Sequence, residues 1–113
     1  MRQKIPETDN HCSKICPIVY TMNIIGQKWK IQILWNIANA ETLHYNELKR
    51  LAAPITNTVL TRSLRELEED GMVNRLNHNT IPPSVEYSLT ERGRSLMPVL
   101  NEMFRWGTAQ QNS

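Results

Sequence analysis

The stretch from Ile55 to Gly71, Ile-Thr-Asn-Thr-Val-Leu-Thr-Arg-Ser-Leu-Arg-Glu-Leu-Glu-Glu-Asp-Gly, constrains this chain more than any other. It reads as one helix with two unlike faces. Ile55, Leu60, Leu64 and Leu67 recur at helical spacing, with Val59 beside them, and form an apolar stripe that needs a core to pack on. Thr58, Thr61, Arg62 and Arg65 fall at i, i+3, i+4 and i+7 and form a second stripe of hydroxyls and guanidinium groups without an acid. Asn57 stands near its start. Thr56 is placed to cap the helix by accepting a free backbone N–H, and Gly71 suits the left-handed turn that ends one. Taken alone, the stretch is more simply an ordinary amphipathic surface helix, which is common, than one that enters a DNA groove. Its neighbours decide between the two.

Upstream, Cys16-Pro17 opens a first helix, since proline is tolerated in the first turn. Ile18, Met22 and Ile25 share a face there, and Gly26 ends or bends it. Lys28 to Ala40 predicts a second helix that is apolar nearly all round, hence central and buried, with Lys28, Lys30, Gln32 and Asn36 marking its exposed side. Thr42-Leu43-His44 suggests a brief strand. Asn46 is positioned to cap a third helix, Glu47 to Ala53, with Tyr45, Leu48 and Leu51 turned inward. Pro54 separates that helix from the stretch above, which gives the outline of a helix-turn-helix.

Downstream, Met72 to His78 and Val85 to Leu89 alternate as strands around a loop, Asn79 to Ser84. Thr90 caps a last helix expected to reach about Gly107, and Pro98 should bend it. A helix-turn-helix followed by a β-hairpin is the winged-helix arrangement, with the hairpin loop as the wing. The predicted fold class is α+β, mostly helical. Residues 1–15 read as a mobile arm, 16–107 as one winged-helix domain and 108–113 as a C-terminal tail.

The 113 residues suit one domain with a single hydrophobic core. A net charge of +2 is small for a nucleic-acid binder, so a DNA-binding reading requires the basic groups to be arranged locally. No apolar run is long enough to span a membrane, and the polar segment Met1 to Asn10 lacks the apolar region of a signal peptide. A cytoplasmic protein is expected, in which Cys12 and Cys16 stay reduced. His11, Cys12 and Cys16 offer three soft ligands without a recognisable fourth, so no metal site is expected. No nucleophile triad, phosphate-binding glycine loop or paired acid set is present, so neither catalysis nor a cofactor is expected.

The chain resembles the HxlR-type winged helix-turn-helix transcriptional regulators of bacteria over residues 16 to 107. Four segments carry the resemblance: Cys16-Pro17-Ile18 leading to Ile24-Ile25-Gly26-Gln27-Lys28-Trp29-Lys30; His44-Tyr45-Asn46-Glu47-Leu48; Ile55-Thr56 through Leu64-Arg65-Glu66-Leu67-Glu68-Glu69-Asp70-Gly71; and Pro82-Pro83-Ser84-Val85-Glu86-Tyr87-Ser88-Leu89-Thr90, ending in Trp106-Gly107. The resemblance implies a homodimer on operator DNA, built largely from the first and last helices. Here those helices carry Ile18, Met22, Leu96, Val99, Leu100, Met103, Phe104 and Trp106. The last helix is indeed more apolar than one buried side requires, which suits an exposed patch. Some members of the family use a cysteine at the position of Cys16 as a redox or electrophile sensor, and a helix N-terminus favours a thiolate. The chain departs from many members at Gln27, where a second glycine is common, and at Ser84, where Lys or Arg is common.

These features define the expected interface with double-stranded DNA. Arg62 and Arg65 are candidates for base or phosphate contacts, because arginine donates bidentately to guanine. Asn57, Thr58 and Thr61 are placed for phosphates or base edges, and Lys28 for the backbone. The wing tip lacks Lys and Arg, which leaves Arg75 and His78 flanking it as wing contacts. The acids from Glu66 to Asp70 repel phosphate, so the N-terminal half of the helix should enter the groove. Glu66 and Glu69 also stand four residues after Arg62 and Arg65, and weak helix-surface ion pairs are the competing use of those arginines. Two other readings stay open: a regulator of the same kind switched through Cys16, and a winged-helix module that binds protein.

Overall fold

The computed structural model describes residues 16–82 and 84–112. The expected arm, with His11 and Cys12, lies outside them. The elements in order are α1 (Pro17–Ile25), α2 (Lys28–Ala40), β1 (Thr42–His44), α3 (Tyr45–Leu51), α4 (Asn57–Glu69), β2 (Val73–Asn77), β3 (Val85–Leu89), α5 (Glu91–Ser95) and α6 (Met97–Gln111). The strands form one antiparallel sheet in the order β1-β3-β2. Leu43 pairs with Tyr87, and Val73 with Leu89, which puts the apolar sides of all three strands on one face. The molecule is a winged helix-turn-helix, with α3 and α4 as the two helices of the motif and the β2–β3 hairpin as the wing.

The central position of α2 follows from its sequence. Ile33, Leu34 and Ile37 are fully buried, and Leu48 of α3, Leu60, Leu64 and Leu67 of α4, Tyr87 and Leu89 of β3 and Leu100 of α6 close around them. The apolar stripe of α4 therefore packs as its spacing requires. The connection from α4 to the sheet is fixed by short contacts. Gly71 takes φ +75°, which disfavours a Cβ. The Thr90 hydroxyl donates to the Gly71 carbonyl at 2.6 Å and accepts the Gly93 N–H at 2.9 Å. Gly93 lies so close to the Met72 carbonyl that a side chain there would collide with it.

Several local expectations change. The third helix starts at Tyr45, one residue before the expected cap, because Glu47 Oε1 reaches back to accept the His44 N–H at 2.8 Å. Leu51 is exposed, since Leu48, Ala52 and Ile55 already fill the inward side where the chain turns. The last helix is two helices, α5 and α6, broken at Leu96. Pro98 has no N–H to offer the preceding turn, which accounts for the break. Beyond it, α6 continues past Gly107 to Gln111.

The faces of α6 differ. Leu96 and Met97 are half-buried against the core, Leu100 is 2% exposed, and the Phe104 ring stacks on Trp35 of α2 with centroids 5.2 Å apart. Leu100, expected at a dimer interface, thus belongs to its own protomer's core and has no surface to offer a partner. Val99 and Trp106 fall on another side of α6 and are exposed, Met103 is exposed at the edge of the groove between α6 and α2, and Ile18 and Met22 on α1 are exposed as well. Among the described residues no helix is long and apolar enough to cross a membrane.

Candidate nucleic-acid interface

The start of α4 is fixed by its cap: Thr56 Oγ1 accepts the Val59 N–H at 3.2 Å. From there Asn57, Thr58, Thr61, Arg62 and Arg65 line one shallow depression along the exposed side of the helix. The five α4 residues expected to read DNA therefore share a single surface. Thr61 and Arg65 also border a second crevice, completed by Glu68, by Arg75 of β2 and by Tyr87 of β3. The wing strand thus brings Arg75 up to the helix. Glu68 also sits in this crevice, although the acids of α4 were expected to face away from the reading side.

His78 and Lys28 are placed differently. At the wing base, His78 Nε2 lies 2.8 Å from Glu86 Oε1, so the imidazole is held by an acid of its own hairpin. At the tip, the His78 N–H donates to the Ser84 carbonyl at 2.9 Å, and Ile81 is fully exposed. Lys28 lies over the Trp29 ring, 4.8 Å from its centroid, and lines a groove with Gln32, Trp35, Met103 and Phe104. That groove is on the α6 side of α2, so the structure does not join Lys28 to the α4 surface.

Lys30, read from sequence as exposed, is 3% exposed. It shares the buried stripe of Ile33, Leu34 and Ile37 at i, i+3, i+4 and i+7, and this spacing was the signal for its burial. Its ammonium lies 2.7 Å from Glu66 Oε1. That oxygen is buried and has no other polar partner among the described residues. The contact with Lys30 holds the Glu66 carboxyl below its ordinary range; desolvation opposes this, and the fields of Lys30, Arg62 and Arg65 add to it. Glu66 is therefore engaged across the core rather than by Arg62. Among the described residues neither Arg62 nor Arg65 forms an ion pair.

Tyr45 is a further residue whose place sequence reading missed. Its hydroxyl lies 3.1 Å from Thr61 Oγ1, 3.3 Å from Asn57 Oδ1 and 3.4 Å from the Asn57 carbonyl. It joins the first helix of the motif to the reading side of the second. No local pattern announces a contact across 12 or 16 positions of chain. Cys16 is a half-buried free thiol at the N-cap of α1, and its carbonyl accepts the Tyr20 N–H at 2.8 Å.

Comparison with known proteins agrees with this geometry. The HxlR-like helix-turn-helix family matches residues 24–113. The HTH-type transcriptional regulator YdzF of Bacillus subtilis (strain 168) is 46% identical over 98 residues, covering 87% of this chain and 90% of the relative. A crystal structure described as the putative HTH-type transcriptional regulator YtcD superimposes with a TM-score of 0.82 at 42% identity, covering 88% of this chain and 100% of the other. The redox regulator HypR in its oxidized form superimposes with a TM-score of 0.79 at 42% identity, covering 83% of this chain and 96% of that one. A winged helix-turn-helix with an exposed Arg, Thr and Asn surface on its second helix, matched by these relatives, places the chain in the HxlR family of DNA-binding transcriptional regulators.

Proposed function

We propose that the chain binds a pseudo-palindromic operator as a homodimer, with the N-terminal half of α4 in the major groove of each half-site. The observation that carries this reading is the surface of Asn57, Thr58, Thr61, Arg62 and Arg65, whose arginines form no ion pair among the described residues while Glu66 is held by Lys30. Arg62 and Arg65 supply bidentate donors for guanine or phosphate, and the Asn and Thr side chains supply shorter-range contacts. Arg75 extends the basic surface toward the wing. Exposed apolar residues of α1 and α6, Ile18, Met22, Val99, Met103, Phe104 and Trp106, form the dimer face. Two-fold symmetry then sets half-site centres roughly 34–36 Å apart. Acting on chromosomal DNA places the protein in the cytoplasm.

The test is selection of bound DNA from a random pool, followed by affinity measurement over a salt series. The expected product is a two-fold-related motif. Arg65→Ala should flatten the slope of log K against log salt by about 0.9 for each phosphate contact it made. An Arg65→Ala variant that binds the selected site as tightly as the parent, with the same slope, would count against α4 as the reading helix. No DNA preference together with a tight protein partner would favour a protein-interaction module.

A redox-switched form of the same function has one supporting observation. Cys16 is a free, half-buried thiol at a helix N-terminus, in a chain similar to a regulator solved in both oxidized and reduced forms. Operator affinity that changes on oxidant treatment in the parent and not in Cys16→Ser supports it; unchanged affinity after verified Cys16 modification removes it.

A further inference from the structure

We propose that Lys30, buried beneath the recognition helix, is a positioning residue for DNA binding: by engaging Glu66 it keeps that carboxylate off Arg62 and leaves the guanidinium free for DNA. This rests on the reading of α4 as the DNA-reading helix. Glu66 stands four residues after Arg62, the spacing at which an acid and a base on one helix meet. The field of Arg62 already acts on the Glu66 carboxyl. Yet the carboxylate is turned toward α2, where Lys30 Nζ lies 2.7 Å from Oε1.

The side chains around this pair make its alternative specific. Lys30 is flanked on its own stripe by apolar residues, Ile33, Leu34 and Ile37, so nothing on that stripe replaces the ammonium. Without it, Glu66 Oε1 would be a buried oxyanion with no partner, a state that costs more than turning outward. Glu66 is itself partly exposed, with a third of its side-chain surface open, so the turn needs no unfolding. Once turned, the carboxylate meets Arg62 on the same helix and occupies its guanidinium. Lys30 therefore acts on DNA through two residues without touching it.

The experiment compares operator affinity for the parent, Lys30→Met, Lys30→Met/Glu66→Gln, Arg62→Ala and Lys30→Met/Arg62→Ala by fluorescence anisotropy, at a temperature where circular dichroism shows each variant folded. A helix-surface pair of this spacing is worth about 0.2–0.5 kcal/mol, which is roughly a two- to five-fold loss of affinity when both recognition helices of a dimer are affected. Lys30→Met should show that loss and a shallower salt dependence. Adding Glu66→Gln should restore affinity, since the neutral amide no longer competes for Arg62. In the Arg62→Ala background Lys30→Met should have no further effect.

The inference is overturned by a Lys30→Met variant with parental affinity and salt slope. It is equally overturned by a loss that Glu66→Gln does not rescue or that persists without Arg62, because Lys30 then acts through the fold alone. Failure of the DNA-binding reading itself shows separately, as a parent protein with no preferred site.

Discussion

The two faces of α6 give the sharpest test of how this protein is put together. Leu100 is 2% exposed and Trp106 is 68% exposed, about a third of a turn apart around one helix. Leu100→Ala removes buried carbons from a packed core and leaves a cavity, at a cost of about 2–5 kcal/mol. For a domain of this size that lowers Tm by roughly 8–20 °C. Trp106→Ala removes almost nothing from the protomer's interior. If the exposed two-thirds of the indole is covered in a dimer, it represents on the order of 100–170 Å² of surface, or about 2.5–4 kcal/mol per protomer as an upper bound. Dimer affinity should then fall roughly tenfold or more. Thermal melts at two protein concentrations a hundredfold apart, with sedimentation equilibrium, separate the cases. Leu100→Ala should melt lower at both concentrations and still dimerise when folded. Trp106→Ala should melt near the parental value when concentrated and show a steeper dependence on dilution. A Leu100→Ala protein with parental Tm and lost dimer would refute the assignment of that face to the core. A Trp106→Ala protein whose Tm drop is the same at both concentrations would refute the exposed face as the interface.

Three further outcomes follow from the same contacts. Thr56→Ala removes the acceptor of the Val59 N–H at the start of α4 and should cost about 1 kcal/mol in equilibrium denaturation; a loss below a few tenths means that the cap is not holding the helix end. Gly71→Ala should cost about 1–2 kcal/mol, because φ is +75° and the new methyl meets only the Arg92 Cδ at 3.6 Å, so the penalty is conformational rather than steric. The Glu47 carboxyl is held below its ordinary range first by the His44 backbone N–H, and that of Glu66 by Lys30. Groups lowered in the folded state stabilise it fully above their unfolded value of about 4.3, and this contribution is lost as pH falls through the lowered value. Stability should therefore drop on acidification, and Glu47→Gln should flatten that acid limb; an unchanged limb would show that the His44 contact contributes nothing.

Much of this architecture was legible in the sequence because its signals are local. The Thr56 cap, the apolar stripe of α4, the end of that helix at Gly71 and the in-facing Val85, Tyr87 and Leu89 all depend on residues within a few positions of one another, and each appears in the structure. Pro98 likewise announced an irregularity, though its form, two helices meeting at Leu96, depends on how α6 packs on α2. The places where the reading failed involve partners distant in sequence. Lys30 was assigned to solvent by its charge, although its spacing placed it among Ile33, Leu34 and Ile37; its partner is 36 positions away. Tyr45 does pack on the core as its position suggests, but only tertiary packing brings its hydroxyl to Thr61 and Asn57. Leu100 was grouped with its apolar helix neighbours because composition does not say which side of a helix has a core beneath it.

The small net charge of +2 was the weakest part of the case for a nucleic-acid partner, and the structure changes its meaning. Glu66 is held by Lys30, Glu86 by His78 and Glu102 by Arg105, while Arg62, Arg65 and Arg75 form no ion pairs among the described residues. Exposed charges act on DNA within a screening length of about 8 Å at physiological salt, so the local arrangement outweighs the total. Glu68 is the exception, since it borders the crevice shared by Thr61, Arg65, Arg75 and Tyr87. Its carboxylate opposes phosphate where those two arginines attract it. Glu68→Gln should therefore strengthen operator binding, by about twofold per protomer from an unfavourable term of a few tenths of a kcal/mol across high-dielectric solvent. Glu69→Gln is the control: it changes net charge equally, on an exposed residue that does not line the crevice. Anisotropy titrations of both variants at two salt concentrations separate the two ideas. If Glu69→Gln strengthens binding as much as Glu68→Gln, total charge rather than the α4–wing crevice governs affinity. If only Glu68→Gln does so, and the gain shrinks at high salt, the crevice is part of the DNA-facing surface and Glu68 weakens binding there.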